Sequence, residues 1–168
     1  DESTITLSPA ANCTFTTANW NETFVFEAVA VFDEIDEGDI VYTPIQSTII
    51  TQDYKYSRIP IPVLTLRIID DDDAFVLLSE AFLDISEDGG NASYAMKLSS
   101  QPTAEVTINL FADDQVAVYP TQIVFSAATW RIPQTVTVLA LDDLVAEDEH
   151  IGSVTWRMES DDRFYDGV

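Results

Sequence analysis

Apolar and polar residues alternate with a period of two in segment after segment of this chain. Between Glu105 and Leu110, Val106, Ile108 and Leu110 fall on one side and Glu105, Thr107 and Asn109 on the other. Tyr94, Met96 and Leu98 oppose Lys97, and Val136 and Val138 oppose Thr135 and Thr137. Phe24, Phe26, Ala28 and Ala30 oppose Glu27, while Leu64, Leu66 and Ile68 oppose Thr65 and Arg67. Strict alternation of this kind is the mark of a half-buried antiparallel strand. No stretch holds apolar residues at i, i+3, i+4 and i+7 over three turns between capping signals, so helices are not expected. Short strands parted by Asp, Gly, Pro and Asn clusters at regular spacing predict an all-β chain of antiparallel β-sandwiches.

The chain repeats itself. Phe15-Thr-Thr-Ala-Asn-Trp20 returns as Phe125-Ser-Ala-Ala-Thr-Trp130, 110 positions later. Without a gap, Ala30-Val31 then falls on Ala140-Leu141, Asp33 on Asp143, Glu37 on Glu147 and Asp39 on Glu149, and Tyr54-Lys55-Tyr56 falls on Phe164-Tyr165-Asp166. An offset of this size predicts sandwiches in tandem. Residues 1–70 read as the C-terminal half of a first repeat, and residues 71–168 as a second repeat lacking its last strand. Each copy lacks strands the other has. The missing strands are expected from neighbouring repeats of the same polymer or from identical subunits of a fibre, by donor-strand complementation.

With 46% hydrophobic residues in 168, the chain can build a core. Its 30 acidic and 7 basic residues leave a formal charge of −23, which repels nucleic acid and anionic membrane surfaces and makes cations the natural partners. No run of about 18 apolar residues exists, so no direct insertion into a membrane is expected. The chain opens on Asp1 without a signal peptide, as a mature or excised piece would. The single cysteine, Cys13, rules out an internal disulfide and reads as a buried apolar residue, the alternative being an intermolecular link. Asn12, Asn21 and Asn91 each head an Asn-x-Ser/Thr sequon, which points to N-linked glycans and a secreted or cell-surface, extracellular setting. Asn91 follows Gly89-Gly90, a turn signal that would expose it.

Several motifs in order resemble a known family. They are Leu83-Asp-Ile-Ser-Glu87-Asp-Gly-Gly90, Ser100-Gln-Pro-Thr103, Phe125 to Trp130 with Pro133-Gln134-Thr-Val-Thr-Val138, and Leu141-Asp-Asp-Leu-Val-Ala-Glu147-Asp-Glu-His150. Ile35-Asp-Glu-Gly-Asp39 and Leu66-Arg-Ile-Ile-Asp70-Asp-Asp-Asp73 belong with them. Together they resemble the Calx-beta domain and the Calx-beta-like tandem repeats of large extracellular proteins, over nearly the whole chain. The resemblance implies immunoglobulin-like seven-stranded sandwiches, here one partial and one nearly complete, with calcium bound where one domain meets the next. Calcium takes six to eight oxygen ligands on converging loops. Asp33, Glu37, Asp70, Asp71 and Asp72 are the candidate ligands of one cluster, and Glu87, Asp113, Asp142, Asp143 and Glu147 those of the other. Phe32 stands where the second copy has Asp142, so the first cluster lacks one carboxylate of a pair.

Trp20 and Trp130 share a repeat position, which suits a packing role better than carbohydrate stacking. Trp156 has no aromatic counterpart and reads as a surface residue, and His150 as a solvated or carboxylate-paired one. The function expected is an extracellular structural or adhesive module of a surface stalk or glycosylated filament, stiffened by calcium at its junctions or assembled by strand exchange. The alternative is a calcium-sensing regulatory Calx-beta domain of a larger membrane protein. A glycosidase would need a distinctive pair of carboxylates, and no such catalytic motif is present, so no enzyme is expected.

Overall fold

A computed structural model of the chain describes residues 5–8, 12–38, 40–86, 89–142 and 151–167. Among them are eleven strands and no helix. They divide into two compact units. Unit 1 holds residues 1–33 and 39–70, and unit 2 holds Glu34–Gly38 and residues 71–168. Unit 1 carries β1 (Ile5–Ser8), β2 (Glu27–Ala30), β3 (Ile40–Ile45) and β4 (Leu64–Ile69). Unit 2 carries β5 (Val76–Leu78), β6 (Asn91–Leu98), β7 (Val106–Ala112), β8 (Val116–Tyr119), β9 (Gln122–Phe125), β10 (Gln134–Ala140) and β11 (Val154–Ser160).

Unit 2 is a sandwich of two antiparallel sheets, ordered β5-β6-β10-β8 and β11-β7-β9. Alternation decides what goes inside. Tyr94, Met96 and Leu98 of β6 and Val136 and Val138 of β10 are buried from one sheet. Val106, Ile108 and Leu110 of β7, Ile123 and Phe125 of β9, and Met158 of β11 are buried from the other. For β6, β7 and β10 these are the inward faces that the alternation predicts. Two turns complete the core. After β9, Ser126 and Thr129 cap one another: the Ser126 N–H donates to Thr129 Oγ1 at 3.0 Å, and the Trp130 N–H donates to the Ser126 carbonyl at 2.9 Å. Trp130 is thereby turned inward, and its carbonyl accepts from the Leu98 N–H at 3.0 Å.

After β11, Asp162 is the pivot of a tighter corner. Its N–H donates to Ser160 Oγ at 3.0 Å, and its Oδ1 accepts from the Phe164 N–H at 3.0 Å. Its Oδ2 reaches across to accept from the Thr103 N–H at 2.8 Å. The corner places the Tyr165 hydroxyl against Ser100, where it donates to the carbonyl at 2.8 Å and accepts from the N–H at 3.1 Å. A buried hydroxyl satisfied by backbone groups fixes the ends of the two sheets relative to one another.

Unit 1 repeats several of these details. The β1–β2 register runs from Ile5↔Ala30 to Ser8↔Glu27, and β8–β10 runs from Val116↔Ala140 to Tyr119↔Thr137, residue for residue. Thr16 and Asn19 cap one another as Ser126 and Thr129 do, with Thr16 Oγ1 donating to Asn19 Oδ1 at 2.8 Å. The Asp53 N–H donates to Thr51 Oγ1 at 3.1 Å and Asp53 Oδ1 accepts from the Lys55 N–H at 2.9 Å, as in the Asp162 corner. That match sets Tyr56 on Tyr165, an offset of 109, so the gapless alignment of the aromatic close is corrected by one residue.

Burial separates the two. Phe125, Trp130 and Tyr165 are 0%, 7% and 1% exposed, whereas Phe15, Trp20 and Tyr56 are 56%, 71% and 56% exposed. Phe24, Phe26, Ala28 and Ala30, expected to face inward, are also exposed. In β4, Leu66 and Ile68 are half-buried, while Leu64 is exposed. Cys13, expected to be buried, is exposed. Among the described residues, unit 1 has four strands and none that corresponds to β5, β6 or β7 of unit 2. Within unit 1, Phe15 and Phe24 contact each other edge to face, their centroids 5.0 Å apart.

Truncation should separate the twin positions. Phe125→Ala is expected to cost about 3–5 kcal/mol in chemical denaturation followed by Trp130 emission. Phe15→Ala at the same turn should cost less than about 1 kcal/mol, since little is buried there to lose.

Candidate functional site

Asp70, Asp71 and Asp72 follow β4 directly, and their carboxylate oxygens lie within 4.8 Å of one another. Asp70 and Asp72 are half-buried and Asp71 is exposed. Three monodentate carboxylates would leave about half of a calcium shell to carbonyls and water. Among the described residues this is the one group of three or more ligand side chains close enough to share an ion. Asp33 is half-buried, Glu37 and Asp142 are exposed, and none of them joins such a group. Glu87, Asp143, Glu147 and His150 lie outside the described residues.

Asp113 already has partners. It sits in the β7–β8 turn, where its Oδ1 accepts from the Gln115 N–H at 3.0 Å. Its Oδ2 accepts from the Ser153 N–H at 2.6 Å and from Ser153 Oγ at 2.8 Å, while its own N–H donates to the Ser153 carbonyl. The Ser153 hydroxyl and the Gln115 N–H hold its carboxyl below the usual aspartate range. In this arrangement Asp113 ties the β7–β8 turn to the start of β11. Gly152 is needed beside it, because a Cβ there would stand 2.8 Å from Val116 Cγ1.

The sequon asparagines Asn12, Asn21 and Asn91 are all exposed, with Asn91 at the first position of β6 after the Gly89-Gly90 turn. Trp156 is partly exposed on the edge strand β11. Between the sheet ends of unit 2 an open cleft of about 730 Å³ is lined by Leu78, Phe82, Ile85, Val138, Trp156 and Tyr94 among others. The Tyr94 hydroxyl is buried there without a hydrogen-bond partner, and burial pushes its pKa up.

Sequence reasoning passed over two acids that turn out to be held in place. Glu34 pairs with Arg131, and Asp36 accepts from the Ala74 and Gly38 N–H groups. The Asp36-Glu37-Gly38 triplet carried a legible signal, an Asx turn closing on a glycine with φ of 97°.

Neither a protein-family model, nor a curated protein, nor a solved structure matches this chain.

Two titrations follow. Asp113 has a lowered folded pKa, so its stabilising contribution is present at neutral pH and is lost as pH falls through that value. Asp113→Asn should therefore melt below the parent at pH 7 and approach it at strongly acid pH. Tyr94 has a raised folded pKa, so its contribution is complete below about 10 and is lost as pH rises further. Tyr94→Phe should be neutral or stabilising by up to about 1 kcal/mol at pH 7, with a shallower decline on the alkaline side.

Proposed function

We propose that the chain is a non-catalytic structural or adhesive repeat module of an extracellular stalk or filament, built as Calx-beta-like tandem repeats are. The observation that carries this reading is the duplication of ladder, turn and corner in two units with opposite burial. A motif that closes a core in unit 2 and stands bare in unit 1 is one that strands from elsewhere are meant to cover. The occupant required is a segment patterned like β5–β7. Such a segment comes from a preceding repeat in a tandem array or from a neighbouring subunit by strand exchange.

Two further features support the same reading. Three exposed sequon asparagines suit a glycan-coated surface on the secretory route. A charge of −23 keeps repeats from collapsing on one another and invites divalent cations at junctions. The Asp70–Asp72 triplet, at the boundary between residues 1–70 and 71–168, is where calcium would stiffen the array. A regulatory calcium sensor would use the same acids but would change shape cooperatively on binding the ion.

A polypeptide spanning Asp71–Ala112, added to the full chain, is expected to shield Trp20 from acrylamide and to stop doing so in Phe15→Asp. Continued full quenching of Trp20 at saturating polypeptide would refute the completion of unit 1 by β5–β7-like strands. For the metal, calcium should raise the melting temperature of the chelator-treated chain, and Asp71→Asn with Asp72→Asn should remove that gain. Identical melting with calcium and with chelator would leave the junction metal-free.

A further inference from the structure

Five residues of the chain leave unit 1 and are bound by unit 2 as a ligand would be. Glu34–Gly38 lies among unit 2 residues, while Asp33 and Asp39 on either side of it belong to unit 1. The Glu34 carboxylate pairs with the Arg131 guanidinium, and the Glu34 carbonyl accepts from the Gln101 N–H at 2.6 Å. Asp36 Oδ2 accepts from the Ala74 N–H at 2.9 Å, and its Oδ1 accepts from the Gly38 N–H at 2.9 Å. The Glu37 carbonyl accepts from an Arg163 Nη at 3.2 Å. Gly38, at φ of 97°, passes so near Phe164 that an added Cβ would lie 3.3 Å from its Cζ.

The receiving groups are oriented by unit 2 itself. Arg131 stacks over Trp130 with its Cζ 4.6 Å from the ring centroid, and Arg163 stacks over Phe164 at 4.4 Å. Stacking fixes a guanidinium plane before any acid arrives and leaves its N–H edge free to bind. Ala74 and Gln101 present backbone donors from the segment before β5 and from the β6–β7 turn. Two of the seven basic side chains in a chain of charge −23 are thus committed to one five-residue stretch.

We propose that this surface of unit 2, formed by Ala74, Gln101, Arg131, Arg163 and Phe164, is a receptor for an acidic peptide of pattern Glu-x-Asp-x-Gly. Residues 34–38 are its resident ligand. Each specified position has a physical reason. A glutamate reaches the Arg131 fork, a shorter aspartate bridges the Ala74 N–H and its own turn, and only glycine combines the left-handed φ with the space that Phe164 leaves. The corresponding residues of the second copy are Leu144, Ala146 and Asp148, so that stretch carries none of the three. The receptor stands or falls independently of the filament reading.

The test uses the full chain carrying Glu34→Ala and Asp36→Ala, with a dye-labelled heptapeptide of the sequence Asp33–Asp39 as probe in fluorescence anisotropy. Saturable binding is expected to the double variant, and at least tenfold weaker binding to the parent chain, whose site is filled. Gly38→Ala, which releases the segment without changing charge, should also admit the peptide. Adding Arg131→Gln to the double variant should abolish binding, and raising salt from about 0.05 to about 0.5 M should weaken it, because screening shortens the reach of the charges. Net repulsion between an acidic peptide and an acidic chain works against adventitious adsorption. Absence of binding to both segment-released variants would overturn the proposal, as would equal binding with and without Arg131. So would unchanged hydrogen-exchange protection of the Ala74 and Gln101 amides in the double variant, which would mean that the two carboxylates do not hold the segment.

Discussion

An apolar sheet face must be covered by another, and everything in this chain follows from where that condition is met. In unit 2 the facing sheets exclude water from Met96, Ile108, Phe125 and Val136. Two turns then plug the gaps with Trp130 and Tyr165. The Tyr165 hydroxyl, sharing three hydrogen bonds with Ser100, and the Asp162 carboxylate, reaching the Thr103 N–H, lock the β11 end to the β6–β7 turn. Hydrophobic burial supplies the driving force, and these polar contacts choose the register. In unit 1 the same local chemistry forms the same turns, yet the aromatic side chains stand in solvent. Local hydrogen bonds shape a turn without a core behind it.

Charge is the second constraint. With so few basic residues, several of the described acids are satisfied by backbone N–H groups. Asp36, Asp53, Asp113 and Asp162 each accept from an N–H two residues onward, the signature of an Asx turn. Asp36, Asp113 and Asp162 then accept a further, distant N–H. Acids at strand ends therefore serve as chain fasteners wherever the backbone turns toward them. The consecutive Asp70, Asp71 and Asp72 bring carboxylates together, which is why calcium is proposed there.

β6, β7 and β10 were legible because alternation is a local signal and each of them has one face in the core. β6, β7 and β10 lie where Tyr94, Val106 and Val136 pointed. Alternation in Phe24–Ala30 and Leu64–Ile69 also marked strands, the first only over Glu27–Ala30, but did not mark burial beyond the half-buried Leu66 and Ile68, since burial depends on a facing sheet that sequence periodicity does not reveal. The Asp162 corner escaped notice because its partners, Ser100 and Thr103, lie about sixty positions away in the chain. Arg131 and Glu34 are farther apart still. Asp113 is a candidate metal ligand by the resemblance alone, and its hydrogen-bond partner Ser153, forty positions on, is visible only in three dimensions.

The account turns on one contrast, that Trp20 and Trp130 occupy the same turn in opposite surroundings. Incorporating 5-fluorotryptophan and recording fluorine NMR in light and heavy water would test it directly, with Trp20→Phe and Trp156→Phe assigning the signals. The account predicts a full solvent isotope shift for Trp20 and almost none for Trp130. Equal shielding of the two would contradict it.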